Sequence, residues 1–242
     1  GPATAVRALV AAVRESAPAP AVVERVSVTP LPPTGAVGFR IVPSVTDGAR
    51  RTLVSADVAT CADCLAELFD PADRRHRYPF VNCTACGPRY TIITAVPYDR
   101  AATTMAGFAM CAACAAEYAD PADRRFHAQP VCCPECGPRL VLRTPDGAEV
   151  PGDPLTVAAR WLDAGAVVAV KGLGGYHLAA DAAAERTVAA LRARKRRPHK
   201  PLALLVADLA MARELCEVDE AAAAVLTGPR RPVVLLPRRP GA

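Results

Sequence analysis

Eight cysteines fall into two copies of one pattern, and no hydrophobic run constrains the fold as tightly. Cys61-x2-Cys64 is separated by eighteen residues from Cys83-x2-Cys86, and Cys111-x2-Cys114 by eighteen residues from Cys133-x2-Cys136. Each cysteine of the first set recurs fifty positions on in the second. Neighbouring residues recur with them: Asp70-Pro71-Ala72-Asp73-Arg74-Arg75 as Asp120-Pro121-Ala122-Asp123-Arg124-Arg125, and Cys86-Gly87-Pro88-Arg89 as Cys136-Gly137-Pro138-Arg139. The segment is a tandem duplication.

Two cysteines three apart can turn both sulfurs toward one ion, and a second such pair completes a tetrahedron. Thiolates suit zinc, and four of them leave no open position for a reacting group. The sites are therefore expected to be structural, holding two zinc ions per chain. The glycine after each last cysteine allows a tight turn that other residues resist. Disulfides and an iron–sulfur cluster are the competing uses of such cysteines. Pairing within each repeat is the expected arrangement, although an interleaved one across the repeats fits the same spacing. Cys132 matches Asn82 and lies outside the pattern, and Cys216 is isolated, which suits helix packing. His76 and His127 lie between the knuckles, one register apart, as substitute ligands that four cysteines make unnecessary.

The rest of the composition is that of a folded chain: 242 residues, 52% hydrophobic, 22% charged. Only 5% is aromatic, so small cores rich in Ala, Val and Leu are expected. A net charge of +5 is too modest to imply nucleic-acid binding by itself. No apolar run approaches the ~18 residues of a membrane span. The opening Gly1-Pro2-Ala3-Thr4 has none of the features of a signal peptide, so a cytoplasmic address is expected.

Either side of the cysteines the pattern is that of mixed helix and strand. Val6 to Glu15 has helical spacing; Val22 to Val28 and Phe39 to Val42 are predicted strands separated by Pro30, Pro32 and Pro33. Beyond Leu142, helices are predicted over 156–163, 183–194, 209–215 and 221–226. Strands are predicted over 166–170, 178–180, 201–206 and 233–236, the first a continuous apolar run and 201–206 buried. This order indicates an α/β domain.

Within it, Val167-Val168-Ala169-Val170 runs into Lys171-Gly172-Leu173-Gly174-Gly175-Tyr176-His177-Leu178. Glycines there would let phosphates approach backbone N–H groups, although an ordinary tight turn accounts for them equally well. The Gly-Lys-Ser/Thr ending of a Walker loop is missing. A basic run follows: Arg192, Arg194, Lys195, Arg196, Arg197, His199 and Lys200, with Pro198 and Pro201 bracketing its end. Stiffly held cations beside a glycine turn suit a nucleoside triphosphate or a nucleic-acid backbone, while a bare charge run is otherwise a solvated face.

Taken in order, these pieces resemble the HypF carbamoyltransferase family. Residues 1–43 resemble the end of its acylphosphatase-like domain, closing on Gly38-Phe39-Arg40-Ile41-Val42-Pro43-Ser44. Residues 55–142 resemble its zinc-finger pair, with Phe69-Asp70-Pro71, Tyr78-Pro79-Phe80-Val81-Asn82-Cys83, Cys86-Gly87-Pro88-Arg89-Tyr90-Thr91 and Phe126-His127-Ala128-Gln129-Pro130 as its flags. Residues 153–242 resemble the first half of its YrdC-like domain, through the Val170–Leu178 segment and Leu191-Arg192-x-Arg194-Lys195.

The resemblance implies a multidomain α+β and α/β protein: a partial acylphosphatase-like domain, tandem four-cysteine zinc fingers and a partial YrdC-like domain. It implies a share in making the cyanide ligands of [NiFe]-hydrogenase. Carbamoyl phosphate and ATP yield carbamoyl-adenylate, and the carbamoyl group passes to the C-terminal cysteine of a HypE-type acceptor protein. Lys171, Lys195 and Arg197 are then the candidates for phosphate and adenylate contacts, since such chemistry needs cations against developing charge. The acylphosphatase loop would precede Gly1, and the remaining catalytic parts would follow Ala242, so this chain is not expected to complete the reaction alone. Two rival readings remain: an RNA-binding activity related to tRNA threonylcarbamoylation, and a non-catalytic zinc module that docks a partner.

Overall fold

The computed structural model describes residues 2–17, 21–32, 35 and 54–242. Its secondary structure is mainly short helices: α1 (Ala3–Glu15), α2 (Ala62–Phe69), α3 (Ala112–Ala119), α4 (Pro154–Asp163), α5 (Glu185–Arg194), α6 (Leu209–Leu215) and α7 (Glu220–Thr227). Between α4 and α5 lie two strands, β1 (Val168–Gly172) and β2 (Gly175–Ala179), paired antiparallel with Gly172 opposite Gly175.

The packed centre of the molecule is in the duplicated region. Cys64, Val81, Cys83 and Cys86 form one buried cluster, with Leu68 packed against it. Tyr78, Ile92, Met105 and Cys132 form a second, flanked by Phe80, Tyr98 and Phe108. The expected Ala-, Val- and Leu-rich core is therefore only part of the story, because cysteine and aromatic side chains fill much of the interior here. Gly137 belongs to this packing: a Cβ there would collide with the Tyr78 hydroxyl and meet Cys132 Cβ at 2.6 Å.

Local signals set most of the helices beyond the fingers. Asp153 accepts the Thr156 N–H at 3.0 Å and Pro154 follows it, which starts α4 without an orphan donor. Asp208 and Asp219 cap α6 and α7 in the same way, at 2.8 and 2.7 Å. The Thr187 hydroxyl of α5 donates to the Gly165 carbonyl at 3.0 Å and ties that helix to the turn before β1. Arg77 joins this part to the fingers by donating to Asp153 at 2.6 Å and to the Thr156 hydroxyl at 3.2 Å, and the Ala59 N–H donates to the Pro229 carbonyl at 2.9 Å.

Several expected strands are not present. Residues 21–32 contain none, so the Val22–Val28 strand is not formed, and Phe39–Val42 lies outside the described residues. Residues 201–206 and 233–236 form no strand, and Leu205, Val233 and Leu235 are strongly exposed. β1 is not a fully buried run either, since only Val168 of it is buried. Residues 22–28, 201–206 and 233–236 have strand propensity, but a strand exists only against a partner. α1 forms as expected and buries none of its residues, leaving Val6, Leu9 and Val13 exposed.

Candidate metal centres and the arginines between them

The cysteines of each repeat come together in space. The thiols of Cys61, Cys64, Cys83 and Cys86 all lie within 4.8 Å of one another, and so do those of Cys111, Cys114, Cys133 and Cys136. The two sets form within repeats rather than across them. In the first set, Cys61–Cys83, Cys83–Cys86 and Cys86–Cys64 are 3.7, 3.8 and 3.5 Å apart; in the second, Cys111–Cys133, Cys133–Cys136 and Cys136–Cys114 are 3.7, 3.8 and 3.6 Å apart. A tetrahedral ion with Zn–S near ~2.3 Å spaces its sulfurs about 3.8 Å apart. Disulfide sulfurs would stand at about 2.05 Å. The geometry fits one ion per set and no disulfide.

Local structure explains the convergence. Cys61 and Cys111 are the N-cap residues of α2 and α3, and Cys64 and Cys114 lie in the first turns. Helix N-termini favour anionic thiolates. The second pair of each set sits on a tight turn in which Cys86 N–H reaches the Cys83 carbonyl and Cys136 N–H reaches that of Cys133, at 3.4 and 3.2 Å. Gly87 follows with φ of +97°, and its Cβ would meet Asn82 at 2.7 Å, so glycine is required there. Hydrogen bonding to Cys83 and Cys86, then burial, pushes the Cys64 thiol up; burial pushes Cys114 up. Four crowded thiols cannot all ionise without a cation among them.

Cys132 stays outside both sets, buried beneath Tyr78, whose hydroxyl lies 3.5 Å from its sulfur and donates to the Pro138 carbonyl at 3.0 Å. His127 packs tilted against Tyr118 and edge-on against Phe126, and both it and His76 lie outside the two sets. Cys216 is the residue that ends α6, opposite Arg238.

The arginine pairs of the repeated Asp-Pro-Ala-Asp-Arg-Arg run cross between repeats. Arg74 of the first repeat donates to Cys114 Sγ at 3.2 Å and to Glu117 at 2.6 Å. Arg124 of the second repeat donates to Cys64 Sγ through both terminal nitrogens, at 3.2 and 3.3 Å, and pairs with Glu67 at 2.6 Å. Arg75 and Arg125 are almost fully buried. Arg75 donates to the Cys132 carbonyl at 2.9 Å and grips Glu117 with both terminal nitrogens; Arg125 donates to the Asn82 carbonyl at 3.1 Å and grips Glu67. The loops are preformed for this: Asp70 and Asp73 accept the N–H groups of Ala72 and Arg75, and Asp120 and Asp123 accept those of Ala122 and Arg125. A polar cleft of about 550 Å³ runs along this seam.

Burial works against the charges of Glu67 and Glu117, but the hydrogen bonds and charges of the crossing arginines outweigh it and lower both carboxyl pKa values. Burial likewise opposes the charge of Arg74, yet hydrogen bonds to Cys114 and Glu117 raise its pKa. The repeat of this run is plain in the sequence, but the role of its arginines appears only in the fold.

The other predicted site residues are placed differently. Lys171 stands on β1 opposite Tyr176, its ammonium 5.7 Å from that ring, and both are exposed. The glycines make the two-residue turn Leu173-Gly174 of a hairpin rather than a strand-to-helix loop. Lys195 ends α5 and is exposed, whereas Arg197 reaches the Pro201 carbonyl at 3.3 Å. Arg192 donates to the carbonyls of Lys200 and Arg197 at 2.8 and 3.3 Å and thus shapes the basic loop. Among the described residues, no hydrogen bond or ion pair joins Lys171, Lys195 and Arg197. No helix of these residues is long and apolar enough to cross a membrane.

Fold and sites together define a tandem pair of zinc-finger-type four-cysteine sites joined to a YrdC-like part. The HypF finger family matches residues 60–93 and 110–143, one match on each repeat, and the family described as telomere recombination matches residues 160–241. Among curated proteins, the chain is 56% identical over 206 residues to carbamoyltransferase HypF2 of Cupriavidus necator, covering 84% of this chain and 26% of that one. It is 54% identical over 234 residues to carbamoyltransferase HypF of Rhodobacter capsulatus, covering 95% and 31%. A crystal structure of full-length HypF in a phosphate- and nucleotide-bound form superposes with a TM-score of 0.91 at 42% identity, over 99% of this chain and 31% of that one. The chain belongs to the HypF carbamoyltransferase family, and it spans between about a quarter and a third of the length of these relatives.

Proposed function

We propose that this chain is the finger pair and part of the YrdC-like portion of a cytoplasmic carbamoyltransferase of [NiFe]-hydrogenase maturation. In this reading carbamoyl phosphate and ATP form carbamoyl-adenylate, and the carbamoyl group passes to the C-terminal cysteine of a HypE-type acceptor. The domain bounds are 1–43, 55–142 and 153–242. The observation that carries the reading is the direct succession of two finger matches and the YrdC-like match in one chain, at over 50% identity to named carbamoyltransferases.

Each four-cysteine set holds a structural zinc ion. All four positions of the tetrahedron are thiolates, so the ion organises the finger and does not touch a substrate. Nucleotide chemistry belongs to the YrdC-like portion, where Lys171, Lys195 and Arg197 contact phosphate or adenylate. The nucleotide named for the similar full-length structure supports a nucleotide site in the family, and the exposure of both lysines leaves them available to one.

The test is carbamoyl-phosphate-dependent ATP–pyrophosphate exchange in a full-length relative with each of the three residues replaced by Ala at the matching position. Exchange should fall roughly tenfold or more per residue, since one charge-assisted hydrogen bond contributes ~1.5–3 kcal/mol. Wild-type exchange in all three variants would identify the basic cluster as a solvated face.

A further inference from the structure

The arginines that cross between the repeats sit where a filled metal site has most need of them. A divalent ion held by four thiolates keeps a surplus of two negative charges, and sulfurs in such a site are hydrogen-bond acceptors. Cys64 is buried, and the cationic donor to its sulfur is Arg124, which reaches it with both terminal nitrogens and passes within 3.9 Å of Cys61 as well. Cys114 is buried too, and its donors are Arg74 at 3.2 Å and Arg75 at 3.6 Å. In both cases the donor belongs to the other repeat.

We propose that Arg74 and Arg124 are positioning residues for the metal of the opposite finger, and that this exchange couples the two metal sites. It rests on the zinc reading given above. Each arginine loop follows directly from the helix that carries one cysteine of its own set and is capped by another: α2 ends at Phe69 and the first loop starts at Asp70, while α3 ends at Ala119 and the second starts at Asp120. Loss of one ion frees its helix and the loop behind it. The arginine then leaves the other finger's thiolate, where the surplus charge is no longer offset. By linkage each ion strengthens the binding of the other.

Arg74 and Arg124 are the informative residues to change, because their side chains are 34% and 29% exposed. Arg75 and Arg125 are buried and would disturb folding. The full 242-residue chain, purified with zinc, is first analysed for metal. Two zinc ions per chain are expected; iron, or fewer than two ions, would overturn the zinc reading itself. The chain is then challenged with a chelator, and alkylation of each cysteine is followed by peptide mass spectrometry.

In Arg124→Ala, Cys61, Cys64, Cys83 and Cys86 should become reactive about 10–100-fold faster than in the unchanged protein, the usual effect of removing an outer-sphere partner. Cys111, Cys114, Cys133 and Cys136 should follow those four in time rather than lead them. Arg74→Ala should give the mirror image. Arg124→Lys, which keeps the charge, should restore much of the protection. Native mass spectrometry during release from the unchanged protein should show little one-zinc species.

Faster labelling of the variant residue's own finger, unchanged protection in both variants, or an abundant one-zinc species during release from the unchanged protein would overturn the proposal while leaving the two-zinc reading intact.

Discussion

Removing the buried arginine of the first repeat should cost far more than removing its neighbour. The Arg75 side chain is 2% exposed and that of Glu117 is 19% exposed. Arg75→Ala leaves the Cys132 carbonyl without its donor and takes two N–H bonds from Glu117. Breaking a buried ion pair by deleting one partner costs about 3–5 kcal/mol. Glu117 keeps Arg74 and some water, which places this case near the lower end, at about 3 kcal/mol. Arg74, at 34% exposed, forms the outer half of the cluster, and its loss should cost about 1 kcal/mol or less at saturating zinc. With a urea m-value of about 2 kcal/mol/M, the midpoint should fall about 1.5 M for Arg75→Ala and about 0.5 M or less for Arg74→Ala. Urea unfolding followed by circular dichroism in excess zinc measures both. If Arg75→Ala moves the midpoint no further than Arg74→Ala, the crossing pair is not the structural joint between the fingers.

Cys83→Ser and Cys133→Ser should each lose one metal ion and loosen their own finger, whereas Cys132→Ser and Cys216→Ser should keep both; metal loss in Cys132→Ser with retention in Cys133→Ser would mean that the wrong neighbour has been taken as the ligand. The seam should also respond to acid. Glu67 and Glu117 are held below their ordinary value of 4.5, so their contribution is fully present above about that pH and is lost as pH falls through their lowered values. Glu67→Gln with Glu117→Gln should therefore lower the urea midpoint at neutral pH and flatten its fall below pH 4.5, and an unchanged acid slope would refute the role of these carboxylates.

The fingers were legible in the sequence because a metal site is written in residue type and spacing, and both survive without knowledge of the fold. The helices over 156–163, 209–215 and 221–226 were legible because helical patterning is local, and the structure adds Asp153, Asp208 and Asp219 as their caps. The strands at 166–170 and 178–180 overlap β1 and β2, but the other expected strands were not legible. Leu204 and Leu205, or Val233 and Leu235, carry strand propensity, but pairing is decided by a neighbour that no local pattern reveals. The crossing arginines were half legible. Their recurrence at an offset of fifty was plain, and Glu67 and Glu117 each stand three residues after a metal-site cysteine, yet nothing in one dimension tells which repeat an arginine serves.

The exchanged arginines also bear on how the two copies can drift apart in sequence. Arg75 and Glu117 meet as Arg125 and Glu67 do, so each repeat supplies both halves of one self-complementary contact, as the partners of an isologous pair do. A change in one loop is felt in the other repeat, and a compensating change must arise fifty residues away. The longest run that the copies still share, Asp70–Arg75 with Asp120–Arg125, is the stretch that faces across the seam, whereas His76-Arg77-Tyr78-Pro79 and Phe126-His127-Ala128-Gln129, just beyond it, have lost all identity. Duplication gave each finger a private metal site, but the seam between them keeps one shared record of the ancestral loop.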